Sequence, residues 1–167
     1  MKNIISAWCN PRITTILPIK GQKPQYLFYN NPLFMSNSPS PIDTLNAAAE
    51  QVRQQLKLKA FDAEGVAHLA NFIQAQRGEL GSADRPGVIM ALGCFLGQCL
   101  VQVYRGEWGT GKDGSTGIGL ASRFFFNPFH LVDAQLNEGE SASVAAFFAS
   151  VPKRLKTPPA VRKSWIS

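Results

Sequence analysis

From Ser40 onward the apolar positions recur at helical spacing, and each run is bracketed by residues that start or stop helices. Ser40-Pro41-Ile42-Asp43 has the spacing of a capping box with proline at the first helical position. Ile42, Leu45, Ala49, Val52 and Leu56 then mark one face of a first helix. A second helix starts at Asp62, with Phe61 and Val66 at the staple positions around that cap. Its stripe is Val66, Leu69, Ala70 and Ile73, and Gly78 or Gly81 stops it. A third runs from about Asp84-Arg85-Pro86 to Arg105, with Gly106 as its stop. It is apolar nearly all round, which predicts the central buried helix. Gln98, Gln102 and Arg105 form its narrow polar stripe, and Gly93 and Gly97 share one face, where another element can approach closely.

The period changes after Gly106. Five glycines lie between Glu107 and Leu120, and Asp113-Gly114 is a hairpin turn signal. Short strands are predicted on either side, with room for a third at Ser122–Phe126. Helical grammar returns at Asn127-Pro128: a cap, a first-turn proline, and a staple from Phe126 to Leu131. Phe129, Val132 and Leu136 face the core, and Gly139 ends this fourth helix. Ser141 or Ser143 caps a fifth, whose inner face is Val144, Phe147, Phe148 and Val151 and which Pro152 ends. The expected object is one compact α+β domain over residues 40–152, mostly helical. It has about five helices, with a small antiparallel β-hairpin or three-stranded sheet between the third and fourth. Residues 1–39, with prolines at 11, 18, 24, 32 and 39, read as an irregular arm, and 153–167 as a basic tail. Translation from Met35, upstream of SNSPSPIDTL, and a genuine flexible arm both remain open for residues 1–34.

Charge changes the picture less than the net +6 suggests. All eleven acidic residues lie between Asp43 and Glu140, and residues 42–152 hold only eight cations, so that region is net −3. The other nine cations are in the two ends, so the basic character belongs there and does not favour a folded nucleic-acid surface. Weak, salt-sensitive nucleic-acid binding through the C-terminal KRLK and RKSW is an alternative. Cys9, Cys94 and Cys99 are odd in number and lack a CxxC, which argues against a disulfide framework and for a cytoplasmic location. The apolar run Ile4–Trp8 is too short for a secretion signal. Val88–Tyr104, interrupted by Gln98 and Gln102, is short of a membrane span.

Candidate chemistry is sparse. Gly106–Lys112 nearly matches a phosphate-binding loop, but Asp113 stands where a hydroxyl is needed, and the segment follows a helix rather than a strand. Cys94 and Cys99 lie roughly 140° apart around a helix and do not converge on one metal, so no metal or cofactor is expected. His68 lies alone in the second helix, whereas His130 and Asp133 can touch at i, i+3, and with Glu107 they make a small-enzyme site the alternative reading. No nucleophile is attached to them. The favoured reading is a non-catalytic module that binds another protein, with Trp108, Arg123, Phe124, Phe125 and Phe126 as its surface. Phe124 and Phe126 would face one side of a strand and Phe125 the other.

LGCFLGQ at 92–98, Gly106-Glu107-Trp108, Asn127-Pro128-Phe129 and LNEG at 136–139 resemble a group of small uncharacterised bacterial proteins. These carry an LGxYLGE-type helix, a Gly-Trp segment and an NPF-type helix start. The resemblance spans roughly Gly87–Val151 and implies a bacterial origin and this fold, with no established activity. This chain departs from the pattern at Phe95, where the group has Tyr, and at Gln98, where it has Glu. Any acid–base role of that Glu is therefore closed to it.

Overall fold

The computed structural model describes residues 40–157. The elements are five helices, with a three-stranded antiparallel sheet inserted between the third and fourth: α1 (Pro41–Gln55), α2 (Ala63–Gln76), α3 (Arg85–Tyr104), β1 (Glu107–Thr110), β2 (Thr116–Leu120), β3 (Phe124–Phe126), α4 (Pro128–Glu138) and α5 (Val144–Lys156). The mostly helical α+β architecture expected from the pattern is the one observed. The expected arm at 1–39 and the tail beyond Thr157 lie outside the described residues.

The helix starts follow the side chains that satisfy their first amides. Ser40 Oγ accepts from the Asp43 N–H at 3.1 Å, and the Asp43 carboxylate accepts from the Ser40 N–H at 3.1 Å. Asp62 accepts from Gly65, Asn127 from His130 and Ser143 from Ala146, each one turn on. Asp84 makes no such side-chain cap on α3. Ile42, expected on the inner face of α1, is 49% exposed, and the buried positions of that helix are Ala49 and Val52.

Helix α3 is the centre of the fold. It packs against α1, α2, α4, β1 and β2, and Leu92–Gly97 are buried without a break. It ends differently from expectation. Arg105, not Gly106, takes the left-handed conformation, at φ 58°. Gly106 is required for space: a Cβ there would overlap the Ile118 side chain. The same logic governs the glycine face. A methyl on Gly97 would overlap the indole of Trp108, and one on Gly93 would overlap the ring of Phe129. The two rings lie 6.1 Å apart at 29°, side by side on the bare stripe of α3.

Helix α5 runs through Pro152 to Lys156, so the expected stop at that proline does not occur. Pro152 has no N–H to give the carbonyl one turn earlier, that of Phe148. The Tyr104 hydroxyl donates to that carbonyl at 2.9 Å, and the two rings pack 4.8 Å apart. Arg123 then closes the far end, its guanidinium donating to Leu155 O at 2.7 Å and Thr157 O at 3.5 Å. At the other end of α5, fully buried Gln135 donates to Ala70 O at 3.0 Å and accepts from the Val144 N–H at 2.9 Å. One side chain thus ties α4 to α2 and to the start of α5.

Two substitutions test this frame. Gly97→Ala forces the indole off α3 and is expected to cost about 1–3 kcal/mol in urea unfolding, with a shift in tryptophan emission. Tyr104→Phe leaves the Phe148 carbonyl unpaired and is expected to cost about 1–2 kcal/mol, with faster amide exchange at Lys153–Lys156 than in the parent.

Candidate functional site

The register of the sheet decides which aromatic side chains reach the surface. Trp108 pairs with Ile118, Ile118 with Phe126, and Leu120 with Phe124. These five share the face turned toward α3 and α5, since residues opposite one another project to the same side. Glu107, Gly109, Gly117, Gly119 and Phe125 share the outer face.

Trp108 is therefore half-buried on α3, where its Nε1 has no hydrogen-bond partner, and is not part of an open aromatic patch. Tyr104, nearby in sequence at the end of α3, faces Phe148. On the outer face Phe125 is 39% exposed, with its ring lying over Gly111 and Gly117. A shallow recess of roughly 420 Å³ runs beside it, lined by Arg105, Glu107, Trp108, Ala121, Ser122 and Phe125 among others. Ala121 and Ser122 both adopt positive φ, 52° and 53°, in the turn that Arg123 N–H closes onto Leu120 O.

At the rim between sheet and helix the structure assembles a row that the sequence did not reveal. Arg123 sits over the ring of Phe124 at 5.1 Å. Phe124 lies parallel to Phe126 at 6.1 Å, Phe126 meets Phe147 of α5 edge-on at 5.0 Å, and Arg154 covers Phe147 at 5.6 Å. The three rings are half-buried and both arginines are exposed. Phe147, expected on the inner face of α5 beside Phe148, is turned to this rim, because Phe126 fills the position it packs against. Lys153 and Lys156 are exposed on the same end of α5. The amphipathic spacing of α5 carried a signal for Phe147, but its partner lies 21 residues earlier in the chain.

The residues of the alternative enzyme site each have other partners or surroundings. The Asp133 carboxylate accepts from Arg85 at 2.7 Å and from Asn137 at 3.4 Å, and His130 is exposed and contributes only its backbone N–H to the Asn127 cap. Glu107 lines the outer recess, which His130 and Asp133 do not. His68 lines a separate recess of roughly 150 Å³ with Lys57, Asp62 and Glu64. The near-match to a phosphate loop is a hairpin tip, where Asp113 accepts from the Ser115 hydroxyl at 2.7 Å and its N–H at 3.1 Å, bonds that hold the carboxyl below its ordinary value.

Among the described residues no group of three or more His, Cys, Asp or Glu side chains is placed to hold a metal. Burial pushes the Cys94 thiol up to about 11. Cys99 is raised further by burial, with the Asp62 charge adding to it. Helix α3 has the length and apolarity to cross a membrane, longer than the stretch the sequence suggested, yet its middle is buried inside the fold as a core helix is. Comparison with protein-family models, curated proteins and solved structures gives no match for this chain.

Both described thiols are thus buried and protonated at neutral pH. Iodoacetamide is expected to leave Cys94 and Cys99 unmodified in the native protein at pH 8 and to modify both in denaturant, as read by peptide mass mapping. Native-state alkylation of either one contradicts this placement.

Proposed function

We propose that this chain is a non-catalytic, cytoplasmic protein-interaction module that docks a partner at the junction of β3 and the end of α5. The observation that carries this reading is the row Arg123, Phe124, Phe126, Phe147 and Arg154. Aromatic and arginine side chains are enriched where proteins meet, and here they are concentrated on one rim by tertiary packing. Phe125 extends the surface around the edge of the sheet. A small-enzyme reading has less support, because Asp133 is paired with Arg85 and the recess that Glu107 lines does not include His130 or Asp133.

The test is photo-crosslinking in host cells, with benzoylphenylalanine placed in the full chain at Phe125, Arg154 or Gln51. Gln51 is exposed on α1, away from the proposed surface. A discrete protein adduct is expected at Phe125 and Arg154 and not at Gln51. Equal adducts at all three positions, or none at the first two, remove the reading.

A further inference from the structure

Resting on that reading, we infer that the partner docks through an acidic, apolar segment that pairs its carboxylates with Arg154, Lys153 and Lys156. The charge pattern around the row is one-sided. The sequence has no acidic residue from Gly114 to Val132, which covers β2, β3 and the start of α4, and none from Ser141 to Ser167, which covers α5. Lys153, Arg154 and Lys156 are exposed within one turn of helix, and among the described residues no carboxylate bonds to any of them. Half-buried Arg53 and Arg85 pair with Glu50 and Asp133, whereas the α5 cations stand apart from the other exposed ones in being three within one turn on a helix without an acidic residue. Arg123 spends its donors on the carbonyls of Leu155 and Thr157, which fixes the turn that carries the three cations. A face that concentrates positive potential without an internal counter-charge is complementary to an acidic partner.

Two other anionic occupants fit less well. Single-stranded nucleic acid binds such surfaces by stacking bases on free aromatic faces. Here each ring in the row is already stacked or capped by a neighbour: Phe124 by Arg123 and Phe126, Phe126 by Phe147, and Phe147 by Arg154. The rings are half-buried, so the row leaves some apolar surface beside the cations, which suits leucine- or phenylalanine-sized side chains. An anionic membrane surface engages an amphipathic helix through its apolar face. The apolar face of α5, Val144, Phe148 and Val151, is buried in the core.

The experiment uses the full chain and fluorescence anisotropy with a short labelled peptide of alternating Glu and Leu. Competitors are the same peptide with Gln for Glu, an oligo-thymidine strand, and phosphatidylserine vesicles. The acidic peptide is expected to bind in a salt-sensitive way, and the Gln peptide to bind about tenfold or more weakly. Arg154→Glu combined with Lys156→Glu should weaken binding by about tenfold or more at unchanged melting temperature. Phe147→Leu supplies a second variant, expected to weaken binding while leaving its salt dependence intact. Equal binding of the Gln peptide, no effect of the charge reversal, or tighter binding of the oligonucleotide or the vesicles overturns the inference. A crosslinked partner retained by the charge-reversed chain overturns the acidic chemistry alone and leaves the interaction reading standing.

Discussion

Everything else in this fold depends on the contact between the bare stripe of α3 and two aromatic rings. Gly93 and Gly97 leave no side chain on that stripe, so Phe129 and Trp108 lie directly on the helix backbone. Trp108 belongs to β1 and Phe129 to α4, so the stripe holds the sheet and the following helix at once. The register then carries that position across the sheet, from Trp108 through Ile118 to Phe126. Phe126 is thereby set where Phe147 of α5 meets it. A larger residue at either glycine displaces a ring, and with it the register that builds the rim.

The second dependence runs through the end of α5. A proline inside a helix normally breaks it, by removing a donor and crowding the preceding turn. Here the orphaned Phe148 carbonyl is supplied by Tyr104, the last residue of α3, and the last carbonyls are supplied by Arg123 from the turn before β3. The basic turn of α5 exists in helical form because two other elements satisfy it. Gln135 does the same at the opposite end, where it satisfies the first amide of α5 and a carbonyl of α2. Helix α5 is thus anchored at its start, at its proline and at its end by side chains from three different elements.

What the sequence made legible was local. Caps at Ser40, Asp62, Asn127 and Ser143 set the helix starts, because a short polar side chain reaches its own first turn without help from the fold. The buried character of α3 and the Asp113-Gly114 turn were legible for the same reason, as was the glycine stripe as a place of close approach. What was hidden required partners distant in sequence. Pro152 reads as a stop until Tyr104 is seen opposite Phe148, 44 residues earlier. Trp108 reads as a surface aromatic until Gly97 is found beneath it. The left-handed residue after α3 is Arg105 rather than its glycine neighbour, because space against Ile118 claimed the glycine. Of the site, Arg123 and the alternation of Phe124–Phe126 were legible from strand period and Phe147 as an apolar position of α5, while its place against Phe126 and the part of Arg154 entered only through packing.

The cations at the end of α5 are only partly compensated by the helix that carries them. Three positive side chains within one turn repel, and a helix C-terminus offsets part of that repulsion through its partial negative charge. Arg123 uses the same carbonyls, so it competes for that compensation rather than adding to it. A carboxylate at the position of Arg123 would neutralise the end of α5 internally but would repel the carbonyls it faces. An arginine there keeps the helix end closed and the surface positive together. Closure of the helix end and the positive charge beside it therefore follow from one residue.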